Sequence, residues 1–210
     1  MLDFIKSWFT KNSEPTIAED NGMKKYLIVG LGNIGAKYAN TRHNVGFNIL
    51  DYFVKDEDAQ FETVKLGDVA KIKVKGRSII FLKPSTYMNL SGKAVKYWLT
   101  KEKIPLENLL IVTDDLNLPF GSLRLKTKGS DGGHNGLKDI QEKLQTTKYN
   151  RFRFGISDSF SKGSQVDYVL GKWDSEESEK LPERLKRCKE AIISFVLSGV
   201  SETMNRYNGT

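Results

Sequence analysis

The sequence predicts a single α/β domain built on a mixed β-sheet flanked by helices. Two patterns and the chain length carry this expectation. Short apolar runs that end in glycine or aspartate, KKYLIVG at 24–30 and LLIVTDD at 109–115, read as buried strands. Segments of helical period fall between the strand-like runs, the alternation of an α/β domain. A length of 210 residues suits one domain able to bury a core without staples.

In chain order, residues 1–22 precede the domain, which is expected to run over 23–210. Leu2, Ile5, Trp8 and Phe9 share one helical face, and the polar stretch NSEPTIAEDNG that follows reads as a linker. This segment is not expected to be a secretory signal, because it lacks the apolar stretch and small-residue cleavage site of one. After the first strand, Thr41 is placed to cap a helix with Val45, Ile49, Leu50 and Phe53 on its apolar face. AQFETVKL, VAKIKVK and SIIFLK are strand-like, and SGKAVKYWLTK at 91–101 is helical. Beyond the 109–115 strand, SLRLKTK at 122–128 alternates like an exposed strand with Arg124 and Lys126 on one face. A glycine turn, GSDGGHNG, leads to an amphipathic helix at 137–144, and RFRFGIS at 151–157 forms another strand. Residues 176–207 are helical, with interruptions expected near Leu181–Pro182 and Ser198–Gly199.

Composition narrows the function. Charged residues at 28% and hydrophobic ones at 39% are ordinary for a globular protein. No window reaches the ~20 apolar residues of a membrane span, so no membrane role is expected. The single cysteine, Cys188, excludes an internal disulfide framework and a multi-cysteine metal site, which points to the cytoplasm. Thirty-three Lys and Arg against 26 Asp and Glu leave a net charge of +7, which favours a polyanionic partner. His43 and His134 are the only histidines, so imidazole chemistry near neutral pH must use one of them.

Gly30, Gly32 and Gly35 form a G-x-G-x-x-G after a strand, the outline of a dinucleotide-binding loop. The remainder of that fingerprint is missing. AKYANTRHN lacks the small-residue spacing of the helix, and the nearest acid, Asp51, falls inside the next helix instead of at a strand end.

Four segments taken together are more specific: YLIVGLGNIGAKYANTRHNVGFNILD (26–51), KPSTYMNLSG (83–92), VTDDLNLPFGSLRLK (112–126) and GGHNGLKDI (132–140). With RFRFGI and DYVLGKW, they resemble the bacterial-type peptidyl-tRNA hydrolase family from about Met23 to Asn208. The resemblance implies one α/β domain with a twisted mixed sheet. It implies an esterase that cuts the bond between a peptide and the terminal ribose of tRNA. No metal, no cofactor and a monomeric state go with it. A non-catalytic RNA-binding relative would be expected to lose the base or the substrate asparagines, and all are present. The chain departs from the family pattern at Ile34, where proline is usual, at Asn117, and at Ser157-Asp158.

The chemistry supports these residues. Ester hydrolysis needs a base to activate water and donors for the developing oxyanion. His43 lies at the start of a predicted helix, whose N-terminus disfavours imidazolium. Asp114 ends a buried strand, where its carboxylate can hold the second ring nitrogen. By resemblance, His43 is the base and Asp114 its orienting partner. The resemblance likewise gives Asn33 and Asn89 to the peptide, Asn135 to placing the attacking water or supporting the transition state, Tyr38 to stacking near the tRNA end, and Met88 to the groove. His134 competes for the base role, and the family match makes it a supporting residue. Arg124, Lys126 and Arg153 match positions that grip tRNA phosphates.

Overall fold

A computed structural model describes residues 22–210. The face formed by Leu2, Ile5, Trp8 and Phe9 lies outside the described residues. Among the described residues, seven strands form one mixed sheet: β1 (Lys25–Gly30), β2 (Glu62–Val64), β3 (Gly67–Val74), β4 (Arg77–Pro84), β5 (Leu109–Asp115), β6 (Leu123–Lys126) and β7 (Asn150–Gly155). Their order across the sheet is β2-β3-β4-β1-β5-β7-β6. The central strands β4, β1, β5 and β7 run parallel, with Val29 level with both Leu82 and Ile111. Antiparallel pairs close each side, β2–β3–β4 and β7–β6. The α/β expectation holds.

Among the described residues, six α-helices cover the faces: α1 (Val45–Asp56), α2 (Ser91–Glu102), α3 (Asn135–Leu144), α4 (Gln165–Leu170), α5 (Ser175–Ser198) and α6 (Val200–Tyr207). Alternation along β1 divides the core. Tyr26 and Ile28 pack with α1 and α5, while Leu27 and Val29 pack with α2 and α3. Both faces of the parallel strands are thereby buried, which explains their continuous apolar runs. Gly46 brings the first turn of α1 against the end of β1: a Cβ there would lie 2.5 Å from the backbone of Leu31.

Several local readings change. Thr41 is not the cap of α1. It precedes a 3-10 turn over Arg42–Asn44, and its hydroxyl donates back to Tyr38 O at 2.9 Å. Pro182 does not interrupt α5. The carbonyl that it deprives of a partner belongs to exposed Ser178, where water can serve it. The break at Gly199 is present, with φ of 86°. The short helix α4 escaped the sequence reading altogether.

At one edge of the sheet, the C-terminus covers β6. Leu123 N donates to Thr210 O at 3.0 Å, and the Asn208 side chain pairs with both backbone groups of Leu125. No helix of the described residues is long and apolar enough to cross a membrane.

Candidate active site

The loops after β1, β4 and β5 meet at the carboxyl ends of the parallel strands, the usual place for a site in an open α/β sheet. A cleft of about 1010 Å³ opens there. Asn33, His43, Met88, Asn89, Asp114, Lys126, His134, Asn135 and Arg153 all line it. Residues that the sequence places on separate elements, as far apart as 33 and 153, thus share one cavity. Tyr38 and Arg124 are not in the lining. Tyr38 sits on a 3-10 turn with Lys37 Nζ 4.7 Å from its ring centre, and Arg124 is exposed on β6.

The hydrogen bonds assign the protons. His43 Nδ1 lies 3.0 and 2.9 Å from the two oxygens of Asp114. A carboxylate only accepts, so Nδ1 carries the proton and Nε2 keeps its lone pair. His134 is fixed the opposite way round. It is the N-cap of α3, and its Nδ1 accepts from Gly136 N at 3.1 Å and Leu137 N at 3.3 Å. Its proton therefore sits on Nε2, which lies 3.0 Å from Asp114 Oδ1 and 2.7 Å from Thr113 Oγ1. The Thr113 hydroxyl in turn donates to Asp114 O at 3.3 Å. Of the two imidazoles, only His43 retains a ring nitrogen free to take a proton.

Asp114 is buried, which by itself would raise its pKa. The two histidines beside it prevail and hold the carboxyl well below its usual range. For His43 the largest single influence is burial, which disfavours the cation. The charge of Asp114 and the hydrogen bond to it together outweigh burial and leave the pKa raised above 6.5. The carboxylate, and not the helix N-terminus anticipated from sequence, sets this balance. His43 lies in the turn before α1, outside the helix proper.

Neighbouring contacts fix the loops. Asn33 N donates to Asn44 Oδ1 at 2.8 Å, and Asn44 Nδ2 returns a bond to Asn33 O at 2.9 Å. This reciprocal pair ties the glycine loop after β1 to the His43 turn. Asn33 Oδ1 accepts from Met88 N at 2.9 Å, joining the loop after β4 and leaving the Asn33 NH2 as a donor. Asn89 and Asn135 are exposed in the lining. Asp139 of α3 accepts from Gly92 N at 2.7 Å and so caps α2, holding the two asparagine-bearing segments together. Arg153 is ion-paired to Asp115. Buried Arg151 donates to Gly129 O and Ser130 O at 2.6 and 2.7 Å and braces the glycine loop that carries His134.

Sequence reasoning missed Thr113, Asn44 and Arg151 as parts of this site. Thr113 and Asn44 each stand next to a residue it did select, and Arg151 lies in the quoted RFRFGI strand. Of the substitutions relative to the family pattern, Ile34 is exposed, and Asn117 N donates to Asp115 Oδ1 at 3.0 Å. Ser157 takes a left-handed φ of 65°, a conformation that glycine adopts without strain.

His43, Asp114 and His134 are the group among the described residues that could hold a metal ion, with one ligand atom of each within 4.8 Å of the others. As arranged, hydrogen bonds join the two imidazoles through the Asp114 carboxylate.

Comparison with known proteins agrees with this picture. The family described as Peptidyl-tRNA hydrolase matches residues 27–210. A peptidyl-tRNA hydrolase of Porphyromonas gingivalis is 57% identical over 184 residues, covering 88% of this chain and 100% of that protein. One from Parabacteroides distasonis is 56% identical, covering 88% of this chain and 98% of its own. The crystal structure of peptidyl-tRNA hydrolase from Acinetobacter baumannii superposes with a TM-score of 0.82 at 34% identity, covering 89% of this chain and 97% of that one. With a family match over most of its length and relatives above half identity, the chain belongs to the peptidyl-tRNA hydrolase family.

Proposed function

We infer that the protein hydrolyses the ester bond between a peptide and the 3′-terminal ribose of tRNA, releasing both for reuse in translation. His43 is the general base and Asp114 its orienting partner. The observation that carries the assignment is the pair itself: His43 is held by Asp114 through Nδ1, with Nε2 unprotonated at the cleft.

In this mechanism His43 Nε2 takes a proton from water as the water oxygen attacks the ester carbonyl carbon. Charge develops on the carbonyl oxygen, where the amide NH2 groups of the lining asparagines can donate. The imidazolium formed is balanced by Asp114, whose carboxylate accepts from His134 Nε2 while Thr113 Oγ1 contacts the same ring nitrogen. The tetrahedral intermediate then breaks its carbon–oxygen bond to the ribose, and the leaving ribose oxygen recovers the proton from His43. Asn33 and Asn89 hold the peptide, Met88 lines its groove, and Asn135 places the water.

Lys126 and Arg153 extend the cleft as phosphate contacts, with Arg124 farther along β6 and Tyr38 near the tRNA end. Such contacts position a tRNA without reading its sequence, which suits an enzyme that accepts many tRNAs. The enzyme is taken to act as a cytoplasmic monomer, with residues 1–22 an accessory segment to the domain at 23–210.

The test is hydrolysis of an N-acetylaminoacyl-tRNA by wild type and by His43→Ala. The folded variant should lose at least ~100-fold in rate, since a positioned base contributes about 10²–10⁴-fold. Retention of more than about a tenth of the rate would move the base to another residue.

A further inference from the structure

Arg42 precedes His43 in the same 3-10 turn, yet the mechanism above makes no use of it. It is buried, and it is not among the residues lining the cleft. Its Nη2 donates to Glu177 Oε2 at 2.6 Å and its Nε to Oε1 at 3.3 Å. Nη1 donates to Lys172 O at 2.8 Å and Tyr168 O at 3.4 Å. The guanidinium carbon lies 4.4 Å from the ring centre of Tyr168 and 5.7 Å from that of Trp173.

The acceptors are themselves fixed. Glu177 belongs to the capping box of α5, where its Oε2 also accepts from Asp174 N at 3.0 Å. Backbone contacts run alongside: Arg42 N donates to Gly171 O at 3.0 Å, and Thr41 bridges Lys172. One side of the His43 turn is thus held by the Asn33–Asn44 exchange, and the other by the corner between α4 and α5. That corner also shapes the cleft, because Gln165, Val166, Val169 and Leu170 of α4 line it.

We propose that the Arg42–Glu177 pair is a positioning device for the general base, holding the His43 turn in a fixed relation to the α4 wall of the cleft. The proposal rests on His43 being the base. A buried ion pair contributes little net stability over a matched apolar pair, but its geometry is demanding. Only a planar fork with several donors can serve Glu177, Lys172 O and two ring faces at once. A displacement of about 1 Å at a reacting group costs up to ~100-fold in rate. The pair acts through His43 and touches no reacting atom.

The experiment uses the full chain with two variants, Arg42→Lys and the double variant Arg42→Met/Glu177→Met. Three quantities are read: kcat and KM on peptidyl-tRNA, the thermal midpoint, and the side-chain ¹⁵N–¹H spectrum. Only two histidines contribute to that spectrum. Both variants should lower kcat by about 10–100-fold with KM unchanged within about twofold. The His43 Nδ1–H resonance should weaken or vanish in both, while the double variant keeps a thermal midpoint near wild type.

Wild-type kcat together with an intact Nδ1–H signal in either folded variant overturns the proposal. So does a kcat deficit that merely follows the thermal midpoint and disappears on cooling. If the double variant does not fold, Arg42→Lys, which retains the charge, decides alone. A wild-type protein that left peptidyl-tRNA intact would instead refute the assigned reaction, and the Nδ1–H signal would still report on the clamp.

Discussion

Replacing Asp114 with asparagine should reverse the tautomer of His43. Both oxygens of Asp114 lie within 3.0 Å of His43 Nδ1, and Oδ1 is also 3.0 Å from His134 Nε2. An amide has one accepting oxygen and one NH2. The His134 Nε2–H keeps the amide oxygen at the Oδ1 position, so the NH2 takes the Oδ2 position, about 3 Å from His43 Nδ1. His134 cannot adjust, because its Nδ1 already accepts from two backbone N–H groups of α3. The strain falls on His43, whose proton moves to Nε2 and removes the lone pair from the cleft. The loss should approach the whole contribution of the base, about 10²–10⁴-fold, or roughly 2.7–5.4 kcal/mol at 1.36 kcal/mol per decade. Single-turnover hydrolysis of N-acetylaminoacyl-tRNA measures the rate, and imidazole ¹⁵N shifts report the tautomer. A variant that hydrolyses within about tenfold of wild type, or whose His43 still carries its proton on Nδ1, would refute this reasoning.

Four other outcomes are expected. For wild type, kcat/KM should rise with pH through a midpoint above 6.5, since Asp114 raises the His43 pKa, and Asp114→Asn should move that midpoint down. The depressed pKa of Asp114 stabilises the fold above pH 3.8, a contribution lost as pH falls through the native value. That of His43 is complete below pH 6.5 and fades as pH rises through its native value, so thermal midpoints against pH should show both slopes. Arg124→Ala with Lys126→Ala should reduce the log–log salt slope of tRNA binding by roughly 0.7–0.9 per lost phosphate contact, and an unchanged slope would place the tRNA elsewhere. Deleting residues 1–22 should leave kcat/KM within a few-fold of wild type, and a larger loss in a folded protein would assign that segment to the substrate site.

What could be read from the sequence was whatever local pattern determines. The apolar runs of β1 and β5 are buried on both faces, so they stand out without reference to partners. The apolar spacing of α1 survives for the same reason. Helix α4 did not stand out, because six residues are too few to show a period and Val166 is left 65% exposed. Pro182 suggested a break, since local chemistry cannot tell that Ser178 faces water. His43 and Asp114 are 71 residues apart, and it was the ordered motifs that suggested their pairing. The division of labour between the histidines was legible only through the family resemblance, since the residues alone leave both open as the base. It depends on His134 capping α3 through one particular nitrogen, a tertiary detail that GGHNG does not encode by itself. Tyr38 and Arg124 lie in matching motif segments, but neither is among the residues that line the cleft.

The strand order carries a consequence for how the chain is made. β1, the first described strand to leave the ribosome, is central, and both of its described neighbours follow it in the chain. Its neighbours are β4, beginning at Arg77, and β5, beginning at Leu109. Until those arrive, both edges of an apolar segment are unpaired, and parallel pairing across such separations is slow. The nascent chain is therefore exposed to aggregation over this interval. The His43–Asp114 pair cannot form until β5 has joined β1, so on the proposed function regain of activity should mark a late step of folding, after most secondary structure is present.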